Sequence, residues 1–254
     1  MEIESKQNSE YKELKKIIKS KSSYILIEGK KLFLEAVNSS LKIEKIYLDK
    51  ENQKLFSKLL PRDKNCEIVF LKNSLLSSLF TTDNKPTSSD LIIALAKRPK
   101  WQLKDLFLNK KNIIFLENIQ DPGNLGTIIR SALAFNASGI ILSSSSVDPF
   151  NTKVIRSSAG AVFKVPVVSS DLVDFYDYAK NNNYKLIATS SRAGKNISDL
   201  KLEKPYVFSF GNEGRGLSKD LLNKADEVVG IPHSRNIESL NLGVSVSIVL
   251  WEAY

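Results

Sequence analysis

Short apolar runs alternate with longer amphipathic segments along most of the chain. Runs of four to six Ile, Leu, Val and Phe residues are typical of buried strands, and apolar residues spaced three and four apart indicate helices. In the first part this pattern predicts strands at residues 24–27, 43–48, 67–71 and 90–97, with helices from Lys30, at 53–60 and at 74–80 between them. Such an alternation predicts a small α/β domain of about a hundred residues.

The alternation resumes at Asn112 and continues to the end of the chain. It predicts six strands, at residues 113–117, 139–143, 164–168, 185–190, 206–210 and 228–231. Helices are predicted at residues 125–135, with Asn124 as the N-cap, and at 152–159, 172–181 and 240–251. Strands separated by helices in this way form a mostly parallel sheet that is covered on both faces.

A basic stretch that contains a proline, KRPKWQLKDLFLNKK, separates these two parts. A segment of this composition is typical of a linker. We therefore predict a polar N-terminal segment at residues 1–22, a first domain at 23–97, a linker at 98–111 and a second domain at 112–254.

The excess positive charge of the chain lies in its first part. Residues 1–111 contain 23 Lys and Arg against 14 Asp and Glu, a net charge of +9, whereas residues 112–254 contain 14 of each. This asymmetry favours a first part that docks on nucleic acid, joined to a neutral part with another task. A lysine-rich surface that serves solubility would explain the charge alone equally well.

Cysteine and histidine are too few for several kinds of site. Cys66 is the single cysteine and His233 the single histidine, which excludes an internal disulfide and an ordinary zinc site. The apolar runs are shorter than the ~20 residues of a membrane helix, and the N-terminus lacks the apolar core of a signal peptide. We therefore expect no metal and no membrane partner, and a reducing interior such as the cytoplasm, with an organelle left open.

The last segment of the chain, residues 206–254, sets two polar, glycine-containing loops between apolar runs. The loop at residues 211–216 has neither the Gly-Lys-Ser/Thr ending of a P-loop nor the GxGxxG spacing of a dinucleotide site. A second loop, at residues 232–239, contains His233. Two loops at the ends of adjacent strands, backed by an apolar helix, predict a ligand cleft.

Taken singly, most polar residues of these segments also have ordinary structural explanations. His233 fits a surface residue, Arg130 a solvated helix face, and Ser239 with Asn241 a pair that caps a helix. The glycine loop by itself fits a tight turn. Glu213 is harder to explain in this way, because an acid inside a glycine loop usually answers a donor on a ligand or on a neighbouring segment.

Three segments stand out when they are taken together: NIQDPGNLGTIIRSA at residues 118–132, FSFGNEGRGLS at 208–218 and IPHSRNIESLNLG at 231–243. They resemble the signature motifs of the SpoU/TrmH-type RNA ribose methyltransferases of the SPOUT superfamily. Residues 148–166 also follow the family's pattern. The first part, with EGKK at residues 28–31, resembles the small ribosomal-protein-like substrate-binding domain that many members carry. The resemblance covers nearly the whole chain after residue 22.

This resemblance implies an α/β fold whose second domain is a trefoil knot, with the C-terminal segment threaded through a loop. It implies that S-adenosylmethionine binds bent within the knot. The catalytic set carried over from the motifs is Arg130, Asn124, Glu213, Ser239 and Asn241. The cofactor pocket carried over in the same way consists of Phe210, Gly211, Asn212, Gly216, Ile231 and Leu240.

The resemblance further implies roles for these residues. Arg130 is expected to orient the target ribose or its phosphate and to assist removal of the hydroxyl proton. Ser239 and Asn124 are expected to position ribose and backbone, while Glu213 and Asn241 hold the loops. The family also implies a homodimer in which each site borrows residues from the partner.

The implied reaction is methylation of a ribose 2′-hydroxyl in structured RNA, and the added basic domain favours ribosomal RNA over transfer RNA. The alternatives are a transfer RNA ribose methyltransferase, a relative that methylates a base nitrogen, and a non-catalytic RNA-binding factor in ribosome assembly. The SLN sequence at residues 239–241 favours ribose. The presence of Arg130, Glu213, Ser239 and Asn241 favours an enzyme.

The third motif departs from the family's pattern at three positions. The family usually has an apolar residue and a glycine where this chain has His233 and Arg235, and a serine where it has Gly243. The first two add a base and a cation at the mouth of the expected pocket. Because family members work without this histidine, His233 is not expected to be the essential base.

Overall fold

The computed structural model describes residues 2–19, 23–57, 59, 66–82, 86–201, 205–234 and 236–254. Arg235, which the sequence singled out, lies outside the described residues. The chain divides into two compact units, Met1–Lys100 and Trp101–Tyr254. No helix in the described ranges has the length and apolar character needed to cross a membrane.

In its described residues, the first unit is built on a mixed five-stranded sheet. The strands are β1 (Glu2–Ile3), β2 (Tyr24–Glu28), β3 (Ile43–Leu48), β4 (Glu67–Leu71) and β5 (Ile92–Lys97), and the helices are α1 (Ser9–Lys19), α2 (Lys30–Val37), α3 (Gln53–Phe56) and α4 (Asn73–Ser77). The strand order is β1-β4-β3-β5-β2. β5 is antiparallel to β2 and β3, whereas β4 is parallel to β3 and β1.

The strands predicted for this unit are confirmed, and the helices differ mainly at their ends. The predicted helix at residues 53–60 ends at Phe56, and its last part includes residues 58 and 60, which are not described. α4 covers Asn73–Ser77, so the predicted extension to residue 80 is wrong. The predicted strand at 90–97 begins only at Ile92, because a 3-10 turn occupies Ser88–Asp90.

The polar N-terminal segment contributes two packed elements to the first unit. α1 buries Tyr11 and Leu14 on its inner side, in the same core as Tyr47. Glu10 accepts hydrogen bonds from Lys45 Nζ at 2.8 Å and from Tyr47 Oη at 2.6 Å. Burial alone would raise the pKa of Glu10, but the hydrogen bonds from Lys45 and Tyr47 outweigh it and hold that pKa below its usual value.

The second unit contains a seven-stranded parallel sheet in its described residues. The strands are β6 (Ile113–Leu116), β7 (Gly139–Leu142), β8 (Val167–Ser169), β9 (Lys185–Thr189), β10 (Lys195–Asn196), β11 (Tyr206–Phe210) and β12 (Glu227–Gly230), and the helices are α5 (Leu103–Phe107), α6 (Pro122–Ala134), α7 (Thr152–Ser157), α8 (Leu172–Asn181), α9 (Lys219–Lys224) and α10 (Leu242–Glu252). Their order is β10-β12-β9-β11-β6-β7-β8, with every neighbouring pair parallel. This confirms the predicted mostly parallel sheet.

Part of the segment predicted as a linker is a packed element of the second unit. α5 buries Leu106 and Phe107 in the core beside Phe115 and Phe175. The basic residues and the proline around α5 led to the prediction of a linker. Two large apolar side chains in a short helix are nevertheless enough to anchor that helix to the sheet.

Two predicted boundaries in the second unit are wrong for identifiable reasons. Asp121, and not Asn124, caps α6: its Oδ2 accepts from the Asn124 backbone N–H at 2.7 Å, and Pro122 occupies the first helical position. β8 starts at Val167 because a 3-10 turn fills Ala161–Phe163, and Pro166 then has no amide hydrogen to give a neighbouring strand.

Candidate functional site

A cleft of about 820 Å³ opens where β9, β11 and β12 end. Three segments contribute to its walls, each starting within the last residues of a strand: residues 189–192 at the end of β9, residues 210–217 at the end of β11, and residues between 229 and 245 at the end of β12 and beyond it. Carboxyl ends of parallel strands meet at one edge of a sheet, and ligands of α/β folds bind there. The topology thus brings the two loops of the terminal segment together.

The loop at residues 211–216 folds back tightly upon itself. A Cβ added to Gly211 would lie 2.0 Å from the carbonyl carbon of Gly216, and Gly216 has a φ of 69°. Asn212 organises the turn, since its Oδ1 accepts from Gly214 N at 2.9 Å and Arg215 N at 3.3 Å. Glycine is therefore required at both ends of the loop, and bare backbone faces the cleft.

Side chains from all three motifs meet through Asn124. Its Nδ2 donates to Glu213 Oε1 at 2.9 Å, and its Oδ1 accepts from Asn241 Nδ2 at 2.9 Å. Asn241 also caps α10, because its Oδ1 accepts from Val244 N at 3.3 Å. The capping explanation of Asn241 and a role at the site therefore hold together, and Asn124 supplies the donor that Glu213 answers.

Two residues at the end of β6 support these loops, and sequence reasoning assigned neither a role. Glu117 Oε2 accepts from Ser218 N at 2.7 Å, and Asn118 O accepts from Asn212 Nδ2 at 3.0 Å. The available signal was a pair of polar residues directly after the apolar strand β6, at the sheet edge where the cleft forms.

Of the other predicted site residues, all but Arg130 line the cleft. The walls include Ser239, which is exposed and makes no hydrogen bond within the described part of the chain, and the six predicted cofactor residues Phe210, Gly211, Asn212, Gly216, Ile231 and Leu240. Arg130 is exposed on α6, is not part of these walls, and has no hydrogen-bond or ion-pair partner among the described residues.

His233 is half-buried in the wall of the cleft. Its Nδ1 lies 2.7 Å from Ile231 O. A carbonyl oxygen can only accept, so Nδ1 carries the hydrogen and, in the neutral ring, Nε2 is the acceptor. Arg192, Arg215 and Glu238 line the cleft as well. Within the described ranges, no three His, Cys, Asp or Glu side chains are grouped so that they could hold a metal ion.

α6 and α10 pack closely and leave an apolar surface beside their contact. A Cβ on Gly243 would lie 3.0 Å from Thr127 Cγ2, and Ser131 Oγ lies 2.7 Å from Ser247 Oγ. A cavity of about 280 Å³ adjoins this contact, lined by Thr127, Gly243, Val244, Ser247, Ile248 and Trp251. Val244 is 47% exposed and Trp251 66% exposed.

Known proteins resemble the chain both in its second unit and over its full length. The model of the SpoU rRNA Methylase family matches residues 111–251. A Bacillus subtilis protein named 23S rRNA (guanosine(2553)-2′-O)-methyltransferase RlmP is 29% identical over 254 residues, which are 98% of this chain and 98% of that protein. A Synechocystis protein named as an uncharacterized tRNA/rRNA methyltransferase is 38% identical over 141 residues, 55% of this chain and 52% of that protein. The solved structure of an AdoMet-bound rRNA methyltransferase from Sinorhizobium meliloti has a TM-score of 0.87 at 26% identity and covers 100% of this chain and 97% of that chain.

Proposed function

Because this chain belongs to the SpoU rRNA methylase family, we propose that it methylates a ribose 2′-hydroxyl of structured RNA, with ribosomal RNA as the favoured substrate. It is an RNA methyltransferase of the SpoU/TrmH type, and S-adenosylmethionine is the methyl donor. The observation that carries the proposal is the hydrogen-bonded series Asn241, Asn124 and Glu213, which joins the three motifs at one cleft.

The choice of ribose and of ribosomal RNA has separate support. The B. subtilis relative, which matches 98% of both chains, is named as a 23S rRNA 2′-O-methyltransferase. The name of the Synechocystis relative includes tRNA as well as rRNA, and it matches only 55% of this chain. Transfer RNA is therefore the second candidate substrate.

The cleft fits S-adenosylmethionine in size and in the chemistry of its walls. Its volume of about 820 Å³ lies within the range of ~300–1,000 Å³ of small-molecule sites. Gly211 and Gly216 leave backbone groups open to a ligand, and the half-buried Ile231 and Leu240 offer apolar surface to an adenine ring. Phe210 lines the cleft at the end of β11, with its side chain buried in the core. We assign these residues and Asn212 to cofactor binding. The bound cofactor supplies an electrophilic methyl group on its sulfonium sulfur.

The remaining task of the site is to position the 2′-hydroxyl of the ribose. Methyl transfer changes charge little at the methyl carbon, so alignment of the hydroxyl provides most of the rate. Arg130 holds the phosphate or ribose of the target nucleotide, because a guanidinium remains charged and binds phosphate through paired donors. Ser239 contacts the ribose. Asn124, Glu213 and Asn241 keep the loops in place, since both ends of the Asn124 amide are engaged.

The first unit provides the surface for RNA. It contains most of the positive excess of residues 1–111, where 23 basic residues face 14 acidic ones. On α1, Lys12, Lys15, Lys16 and Lys19 are exposed and have no ion-pair partner in the described ranges. When unpaired cations on one helix neutralise phosphates, the RNA releases its condensed counterions, and binding is therefore stronger at low salt. The cytoplasm is the location that fits this substrate.

The functional form is a homodimer that uses the α6–α10 surface. Trp251 and Val244 leave large apolar areas exposed there, beside a cavity of about 280 Å³. A second copy is the occupant that also completes the site, because Arg130 lies outside the walls of the cleft in its own chain. Each cleft then receives its arginine from the partner chain, across the interface.

Calorimetric titration with S-adenosylmethionine and S-adenosylhomocysteine tests the cofactor assignment. Micromolar binding with one site per chain is expected. Mapping of 2′-O-methyl groups in ribosomal and transfer RNA from cells with and without the gene then tests the substrate. A ribose methyl group that disappears from ribosomal RNA supports the proposal, whereas loss from transfer RNA selects the second candidate. No binding of either ligand by the folded chain would contradict the enzymatic function.

A further inference from the structure

Asn118 occupies an unusual backbone conformation at a decisive point of the site. It is the second residue after β6 and has a φ of 57°, in the left-handed region. Asparagine adopts this region more readily than other residues with a side chain, and alanine does so only at a cost. The turn directs the Asn118 carbonyl to Asn212 Nδ2, which donates to it at 3.0 Å.

Asn212 transmits the position of Asn118 to the cofactor loop. The oxygen of the same side-chain amide accepts from Gly214 N at 2.9 Å and from Arg215 N at 3.3 Å. The next residue, Glu213, is bound by Asn124. A shift of the Asn118 carbonyl would therefore move the Asn212 amide, and with it the backbone between Gly211 and Gly216.

The conformation of Asn118 is held from outside the cleft. Its Oδ1 accepts from Ser145 Oγ and, at 3.2 Å, from Ser143 Oγ, while its backbone N–H donates to Ser143 Oγ at 2.8 Å. Gln120 Nε2 donates to Ser145 O at 2.6 Å and fixes the same loop. This serine loop follows β7 and does not line the cleft.

We propose that Asn118 is a positioning residue for cofactor binding, whose left-handed backbone, held by Ser143 and Ser145, presets the loop at residues 211–216. The inference rests on the proposed function of the cleft and adds residues outside the cleft that position its loop. The loop after β7 thereby influences a ligand that it does not touch. Asn118 acts through Asn212, so its effect is expected in cofactor affinity.

The test compares two left-handed asparagines. Asn183 has a φ of 61° and lies between α8 and β9, at the sheet edge opposite the cleft. Asn118→Ala and Asn183→Ala impose the same backbone cost, and Asn118→Ala also removes the acceptor of Ser143 and Ser145, so it should lose at least as much thermal stability as Asn183→Ala. Calorimetry with S-adenosylhomocysteine should show about tenfold weaker binding for Asn118→Ala and a change of at most about twofold for Asn183→Ala.

Asn118→Gly separates the backbone from the side chain. Glycine adopts a positive φ at no steric cost, so this variant should recover most of the affinity, to within about threefold of the unaltered chain. Ser145→Ala changes no backbone and removes one contact from Asn118 Oδ1. Because Asn118→Gly loses this contact as well, Ser145→Ala should weaken binding by about two- to threefold, and it provides a reading if Asn118→Ala does not fold.

Each result decides between the possibilities. Equal affinity of Asn118→Ala and Asn183→Ala, or unchanged affinity of Ser145→Ala where Asn118→Ala is unfolded, would overturn the inference and leave Asn118 as an ordinary turn residue. If Asn118→Gly bound S-adenosylhomocysteine as weakly as Asn118→Ala does, the backbone mechanism would be overturned. If the unaltered chain itself bound neither S-adenosylmethionine nor S-adenosylhomocysteine, the proposed function would fail first, which distinguishes the two failures.

Discussion

Replacement of Asn124 by aspartate sets two carboxylates against each other where α6 meets the loop after β11. Asn124 Nδ2 donates to Glu213 Oε1 at 2.9 Å, and Asn124 Oδ1 accepts from Asn241 Nδ2 at 2.9 Å. Aspartate preserves the shape of the side chain and the acceptor that faces Asn241. It replaces the donor that faces Glu213 by a second anion, so the substitution tests one contact and spares the other.

The expected cost has two parts. A hydrogen bond to a charged group contributes about 1.5–3 kcal/mol. Two unit charges roughly 3 Å apart repel each other by about 1.4 kcal/mol in water. Glu213 is exposed and Asn124 half-buried, so solvent and salt screen the pair and the lower values apply. We expect a loss of about 2–3 kcal/mol in the free energy that holds the closed loop, which corresponds to roughly 30- to 150-fold weaker cofactor binding.

Calorimetry with S-adenosylhomocysteine measures this loss directly, and kcat/KM on a ribosomal RNA transcript should follow it. Glu213→Gln, combined with Asn124→Asp, restores a donor opposite the new carboxylate and should recover most of the affinity. Asn136→Asp is the matched control, because it adds the same charge at the far end of α6, where Lys111 Nζ already donates to Asn136 Oδ1 at 2.7 Å. Full affinity in Asn124→Asp, or a double variant no better than the single one, would refute the bridging role.

Three further predictions concern other parts of the molecule. Arg130→Ala should lower kcat at least ~100-fold and leave the Kd of S-adenosylhomocysteine within about twofold, and unchanged turnover would remove this residue from the mechanism. Trp251→Glu should shift sedimentation from dimer to monomer with loss of activity, whereas a fully active monomer at micromolar concentration would contradict the dimer requirement. Glu10→Ala should destabilise the first unit by about 1–3 kcal/mol, because the buried Tyr47 hydroxyl loses its acceptor, and Glu10→Gln should cost less. The pKa of Glu10 is lowered in the folded state, so its contribution to stability is complete above the usual glutamate pKa of ~4.3 and is lost as the pH falls through the lower folded value. The free energy of unfolding should therefore differ less between pH 7 and pH 3 in Glu10→Ala than in the unaltered chain, which denaturation at the two pH values measures.

Most strands of both units could be predicted because each is a short apolar run bounded by polar turns. β1 and β10 were missed, since each has only two residues and neither is an apolar run. In the second unit, the packing of the strands into a parallel sheet followed from the helices between them, whereas the antiparallel pairing of β5 in the first unit was not predicted. The resemblance to the SpoU family is confirmed by the match over residues 111–251. Helix starts were harder to place, because Asp121 and Asn124 are both good N-caps. Pro122 decides between them, since it suits the first helical position and lacks the amide hydrogen that later positions need.

The contacts that build the site were beyond the reach of local pattern. Asn124 and Glu213 lie 89 positions apart, and Asn124 and Asn241 lie 117 apart. Propensity describes what a residue favours in its own segment, and it contains no information on which distant group its side chain meets. The positive φ of Asn118 is a similar case, because asparagine tolerates that conformation without requiring it.

The use of asparagine at the junctions of this site follows from the chemistry of its side chain. Asn124, Asn212 and Asn241 each use a side-chain donor on one segment and a side-chain acceptor on another, which a carboxylate cannot do because it only accepts. The loops after parallel strands leave the sheet and lose the backbone pairing that ordered the strands. A short, planar group with both functions can replace that pairing over one hydrogen-bond length on each side. The loops are thereby joined by neutral bridges, and the Asn124 bridge ends on the carboxylate of Glu213. A second negative charge introduced at this bridge is therefore expected to disturb the cleft more than the loss of a single hydrogen bond would.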